Sequence, residues 1–322
     1  MIKNLQLKNR LVMPPMATAK SADGRVSEPL TAYYQEKAEG GHIGLVITEH
    51  SFISPEGKAH PGQLSIADDS DVPGLQTLTE TIHSCGSPVF AQINHAGIAA
   101  RDTGFPVYGP SAVRSPRARD TECPLPIAMT QADIQKVTAD FASAAARAKA
   151  AGYDGIEIHS AHGYLLNQFY SPLTNRRTDL YGGTAANRIR LHLEIIAAVR
   201  EAVGADYPIA LRLGACDYME GGNGISEAVD AAIAFQQAGV DLLDISGGMN
   251  GYTRPDVTTP GYFRDVSAAI REKVSIPVLL TGGITDAAQA EMLLQAGAAD
   301  LIGVGRALLK NSGWAKKAME QG

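Results

Sequence analysis

Two histidines three residues apart, His159 and His162, with Tyr164 two further on, fall in HSAHGY directly after the apolar run Gly155-Ile156-Glu157-Ile158. Imidazoles can ligate a metal, move a proton or donate N–H bonds, and a phenol can deliver a proton. Three readings therefore compete. A metal site needs three or four ligands, and the other candidates, His95 and Asp217, stand singly along the chain. A purely structural role would bury two imidazoles and a phenol, each of which must find a partner. In the third reading the histidines are N–H donors to an anionic or carbonyl oxygen, and Tyr164 is a nearby acid. On a strand, positions i and i+3 face opposite ways. The pair can converge only if the strand gives way to a turn near Ser160, which Gly163 permits.

The elements that would position these groups repeat. KAAGYDGIEIH (149–159), QQAGVDLLDIS (236–246) and LQAGAADLIGVG (294–305) share one grammar: an Ala-rich helix end, a Gly, an Asp, then an apolar run; EGGHIGLVITE (39–49) has the same shape. Glycine closes the helix in the left-handed conformation, and apolar runs without alternation suit parallel strands buried on both faces. Strands are predicted at 10–14, 44–49, 89–93, 155–159, 209–213, 242–246, 277–281 and 301–304. Amphipathic segments lie between them, one opening on the capping-box start Thr130-Gln131-Ala132-Asp133. Eight strands alternating with helices predict a (β/α)8 TIM barrel, with an open doubly wound sheet as the alternative.

Barrels gather their chemistry at the C-terminal ends of the strands. HSAHGY falls there, as do residues 92–95, Arg212, residues 246–248 and residues 281–283. The connection 97–129 is unusually long and carries five prolines, so it is expected to act as a lid or to shield the barrel mouth. Glycine turns follow the last two strands, Gly282-Gly283 in one and Gly303 and Gly305 with Arg306 in the other. Glycine lets backbone N–H groups approach an anion, and Arg306 adds a fixed cation, so a phosphate site is expected between these turns.

Bulk properties narrow the class. With 45% hydrophobic and 19% charged residues the 322-residue chain can bury a large core, and a single barrel domain spanning 1–322 is expected. The formal charge of −6 and the lack of a basic run argue against a nucleic-acid partner. Neither an apolar leader nor a membrane-length apolar run is present, which points to a cytoplasmic protein. Cys85, Cys123 and Cys216 are widely spaced, so no disulfide framework or metal motif is expected.

The run HSAHGYLLNQFYSPLTNRRTDLYGGTAANR (159–188) resembles the signature of the Old Yellow Enzyme family of FMN-dependent ene-reductases, in its His-x-x-His subgroup. NRLVMPPM (9–16), QINHAG (92–97), LRLGACDY (211–218), TGGIT (281–285) and GVGRALL (303–309) match in the same order, so the resemblance covers nearly the whole chain. It implies a (β/α)8 barrel that binds FMN and takes electrons from NADH or NADPH. Pro14, Pro15, Met16 and Ala17 would lie along the flavin ring. Gln92 and Arg212 would meet its pyrimidine side, and Gly282, Gly283, Gly305 and Arg306 its phosphate. His159 and His162 would grip the oxygen of an α,β-unsaturated carbonyl substrate, and Tyr164 would protonate it. The implied cycle is ping-pong, with nicotinamide and substrate using the same place in turn. Two readings stand beside it: a dehydrogenase with a non-enone acceptor, and a barrel that binds a phosphorylated ligand without redox chemistry.

Three positions depart from the family pattern. Ala17 stands where Cys or Thr is common beside the flavin, with Thr18 a substitute only if the loop shifts. Ala19 replaces a common substrate-contacting Tyr, implying a roomier pocket. His50 replaces a small residue after the second strand, where it could touch FMN, contact nicotinamide or turn outward. The chain closes shortly after Trp314, so a site completed by a neighbouring subunit is not expected, although a homo-oligomer stays open.

Overall fold

The apolar runs form eight parallel strands: β1 (Leu11–Met13), β2 (Leu45–Ile47), β3 (Val89–Asn94), β4 (Gly155–Ser160), β5 (Ile209–Cys216), β6 (Leu242–Gly247), β7 (Val278–Thr281) and β8 (Leu301–Gly303). Each coincides with a predicted run to within a few residues. In this computed structural model, which describes residues 1–118, 125–254 and 256–321, β1 pairs with both β2 and β8, and β2 pairs with β3. The sheet thereby closes on itself, and the open doubly wound alternative, which requires two free edges, is excluded. Cys123 lies outside the described residues.

Each strand is followed by a helix: α1 (Glu28–Ala38), α2 (Val72–Ser84), α3 (Gln131–Ala150), α4 (Arg190–Val203), α5 (Ile225–Gln237), α6 (Arg264–Arg271), α7 (Ala287–Gln295) and α8 (Trp314–Gln321). The expected capping box opens α3: Thr130 Oγ1 accepts the Asp133 N–H, and the Asp133 carboxylate accepts the Thr130 N–H. Helix faces and outward strand residues share one apolar shell that includes Ile134, Phe141, Ile156, Ile195 and Phe235. Among the described residues no helix is long and apolar enough to cross a membrane.

Inside the barrel, polarity changes with height. Val12, Leu45, Ile47, Phe90, Ala210, Leu242, Leu279 and Leu301 fill the lower end, closed from beneath by Ile2, Leu5 and Leu7. Phe90 occupies the space a side chain on the neighbouring strand would need, since a Cβ at Gly155 would sit 2.5 Å from its ring. Two residues further along their strands, on the same face, come Gln92, Glu157, Arg212 and Asp244. The apolar floor thus holds a charged layer at the level where the cavity begins.

The repeated Gly-to-Asp grammar has a structural cause. Gly152, Gly239 and Gly297 have φ of 82°, 103° and 70°, ending their helices in the left-handed region. The aspartates that follow cap the preceding strand. Asp154, Asp241 and Asp300 accept the backbone N–H of Val89, Ile209 and Val278 at 2.8, 3.0 and 3.0 Å. A cation or imidazole from the helix before the capped strand completes each: His83, Arg200 and Arg271.

The connection 97–129 has more structure than its sequence suggests. It opens with a 3-10 turn, Gly97–Ala99, and Tyr108–Gly109 pairs in parallel with Ile127–Ala128. Residues 119–124 lie outside the described residues.

Candidate active site

β4 runs through Ser160, and the turn expected there follows at once. His162 has φ 61° and Gly163 φ 78°. A left-handed histidine costs about 1–3 kcal/mol and persists only when its surroundings hold it. Here they do: Asn167 Oδ1 accepts the Gly163 N–H at 2.8 Å, and Gln168 Nε2 donates to the Gly163 and Ala96 carbonyls at 2.7 and 2.9 Å. Both amides come from the fully buried helix Leu165–Tyr170. The turn brings the two histidines together, with ring centroids 5.1 Å apart, and sets Tyr164 5.1 Å from His159.

Around this trio lies a cavity of about 660 Å³ at the C-terminal ends of the strands. Its lining includes Pro14, Pro15, Met16, Ala17, His50, Gln92, His159, His162, Tyr164, Arg212, Gly282, Gly283, Gly305 and Arg306. The residues expected to meet the flavin, its phosphate and the substrate oxygen therefore face one space. His95 and Asp217 do not join it. His95 Nδ1 accepts the Gly97 N–H, and Asp217 accepts from Ser171, Asn223 and Met249. Among the described residues no three metal-ligating side chains converge.

The floor of the cavity is the charged layer. Gln92 Nε2 donates to Glu157 Oε1 at 2.8 Å, and Arg212 Nε stands 3.2 Å from Asp244 Oδ2 without hydrogen-bond alignment. Desolvation, then the neighbouring Asp244, pushes Glu157 well above the carboxylate range against the pull of Arg212. Desolvation likewise raises Asp244 to about 6, again opposed by Arg212. Burial holds His159 and His162 well below the usual imidazole range, reinforced for His159 by His162 and for both by Arg212. Both are neutral at pH 7. Burial raises the Tyr164 phenol, partly offset by Arg117 from the long connection.

At the other end, glycine geometry shapes the wall. Gly282 and Gly283 have φ of 151° and 69°, and a Cβ at Gly283 would sit 2.5 Å from the Tyr262 ring. Tyr262 Oη accepts from Arg306 Nη2 at 3.0 Å. Lys310 adds a second cation to this end.

Sequence reasoning missed Tyr252, Tyr262 and Lys310, and it took Ser246 only as a strand-end position. Tyr252 and Tyr262 sit in the β6–α6 connection, where no spacing marks them. Glu157 and Asp244 did carry a signal: each is a lone charge inside an otherwise apolar strand run. Of the departures, His50 is 7% exposed and turns inward, so the outward orientation is ruled out. Thr18 is engaged elsewhere, its N–H and hydroxyl both donating to Glu49 Oε2, and Ala17 alone lines the cavity there.

The model of the NADH:flavin oxidoreductase / NADH oxidase family matches residues 1–322. A NADH oxidase of Thermoanaerobacter brockii is 41% identical over 99% of this chain and 50% of its own length. A NADPH dehydrogenase of Halalkalibacterium halodurans is 40% identical over 98% of this chain and 91% of its own. The structure of an old yellow enzyme homologue from Zymomonas mobilis superposes with a TM-score of 0.85, at 27% identity, over 99% of this chain and 91% of that one. The chain thus spans about half the length of the first of these relatives and nearly all of the others. The cavity fits the group this family binds. Arg212 Nε, His159 Nδ1 and Thr281 Oγ1 are buried without hydrogen-bond partners, a Cβ at Gly303 would collide with that Thr281 hydroxyl, and cations stand at the glycine-rich end.

Proposed function

The chain belongs to the NADH:flavin oxidoreductase / NADH oxidase family, the Old Yellow Enzymes, with FMN as cofactor and NAD(P)H as reductant; from that premise we propose that it reduces the C=C bond of α,β-unsaturated carbonyl compounds by a ping-pong mechanism. The observation that carries this reading is the trio at the cavity wall: the neutral imidazole of His159 with the His162 imidazole and the Tyr164 phenol each centred 5.1 Å from it. FMN, when bound, would supply the two-electron chemistry between NAD(P)H and the substrate.

The chain's residues supply the rest. Gln92 and Arg212 would hold the pyrimidine edge of FMN, residues 14–17 its flank, and Gly282, Gly283, Gly305 and Arg306 with Lys310 its phosphate. His159 and His162 donate to the substrate's carbonyl oxygen and draw charge toward it. Neutral imidazoles suit this task, since they can donate without protonating the oxygen. Tyr164 then gives its proton to the α-carbon. Its raised pKa keeps the phenol protonated across the working pH range, and the carbon it serves is more basic than a phenolate. Arg117 Nη2 donates to the His162 carbonyl at 3.2 Å, so the long connection reaches the trio and acts as a lid over it.

Stopped-flow kinetics test the assignment. Tyr164→Phe should slow oxidation by cyclohexenone roughly a hundredfold or more, the usual worth of a general acid, while reduction by NAD(P)H keeps its rate. Equal slowing of both half-reactions would rule out Tyr164 as the acid. Turnover with oxygen or quinones far above that with cyclohexenone would instead favour a non-enone acceptor.

A further inference from the structure

His50 follows β2 and adds a third imidazole to the cavity, its ring centroid 5.4 Å from that of Tyr164 and 6.1 Å from that of His159. Its partners fix where its proton sits. Gln63 Oε1 accepts the Ala59 N–H at 2.6 Å, which orients the amide so that Nε2 faces His50. That Nε2 donates to His50 Nδ1 at 2.7 Å and to the His50 carbonyl at 3.1 Å. Asn94 Nδ2, a second amide donor, approaches the same Nδ1 at 3.4 Å. Nδ1 is therefore an acceptor, and the neutral ring carries its hydrogen on Nε2. Burial lowers the imidazole to about 3, with smaller contributions from His60 and Arg212, so this tautomer persists at neutral pH. Gln63 and Asn94 are 1% and 0% exposed and hold the ring rigidly. Among the described residues no protein acceptor meets Nε2, which leaves an oriented donor whose acceptor must come from a ligand.

We propose that His50 is a specificity residue: its Nε2–H donates to a second acceptor oxygen of the substrate, favouring unsaturated carbonyl compounds with another carbonyl about a ring's width from the first. The inference rests on the reading of His159 and His162 as the clamp for the first oxygen and extends it to a substrate class, dicarbonyl compounds. A merely structural His50 would support all ligands alike. A donor to the second oxygen discriminates between ligands that have that oxygen and those that lack it.

The test uses the FMN-loaded protein and absorbance titration of the flavin with two ring compounds of similar length, 4-hydroxybenzaldehyde and 4-methylphenol, which differ in the second oxygen. The preference for the aldehyde should fall roughly three- to tenfold in His50→Leu, the worth of one neutral hydrogen bond, and be largely kept in His50→Gln, which retains a donor. An unchanged preference in His50→Leu overturns the proposal. If that variant does not retain FMN, histidine ¹⁵N spectra of the unsubstituted protein decide. An Nε2–H tautomer whose Nε2 resonance moves on adding the aldehyde supports the proposal, and an Nδ1–H tautomer or an unmoved resonance overturns it. His159→Ala and His162→Ala should weaken both compounds. If they weaken neither, the clamp reading fails, and that failure is distinct from the His50 comparison.

Discussion

Ser246 sets the role of His162. The hydroxyl lies 2.8 Å from His162 Nε2, so only Nδ1 can meet a ligand. If Ser246 donates to Nε2, the imidazole carries its hydrogen on Nδ1 and becomes a donor to a carbonyl oxygen, as the proposed chemistry needs. Ser246→Ala removes this bias. Its expected effect is a roughly three- to tenfold weaker Kd for a carbonyl ligand, the loss of about 1 kcal/mol, with NAD(P)H reduction unchanged. An unaltered Kd would show that the tautomer is set elsewhere. The same logic of fixed neutral donors runs through His50, where buried amides leave one orientation open.

At the scale of elements, the two ends of the barrel do different work. At the N-terminal rim Asp154, Asp241 and Asp300 join strand to strand, and at the C-terminal rim the turns open onto the cavity. Asp241→Ala would leave the N–H of the fully buried Ile209 without its carboxylate and break the 2.7 Å contact with Arg200. The expected cost is about 1–3 kcal/mol, read as a lower urea midpoint at unchanged slope. Ligand affinity should not move, because the site lies at the other end of the strands. A change in affinity without a change in stability would contradict this division.

For the molecule as a whole, the buried titratable groups predict how stability follows pH. His50, His60, His95, His159, His162 and His192 are all held below the ordinary imidazole range, chiefly by burial. A depressed histidine contributes stability above its unfolded value, near 6.5, that is lost as pH falls toward its folded value, about 3 for His50 and about 4 for His95. Glu49, Glu157, Asp217 and Asp244 are raised, chiefly by burial, and act with the opposite sign. Glu49, near 7 when folded, contributes stability at low pH that is lost as pH rises from about 4.5 to 7. The histidines outnumber these carboxylates, so unfolding binds protons in this range. The urea midpoint should fall between pH 6.5 and 4.5. A midpoint that rises on acidification would mean that the carboxylates dominate.

Much of this was legible in the sequence because its causes are local. Apolar runs introduced by Gly and Asp specify parallel strands and their caps at short range, so strand count, order and the positions of the strand ends followed from the chain alone. Closure then forces strand ends together, which is why His159, Arg212, Gly282 and Arg306, remote in sequence, share one cavity. What only the tertiary structure decided depends on contacts between distant segments. Gln63 fixes the tautomer of His50, Tyr262 seats Arg306, Glu49 draws Thr18 away from the cavity, and the long connection brings Arg117 to His162. No spacing rule reaches across loops of that length. Burial works the same way: the charges of Glu157 and Asp244 are written in the sequence, but the desolvation that raises them exists only once eight strands have closed around them.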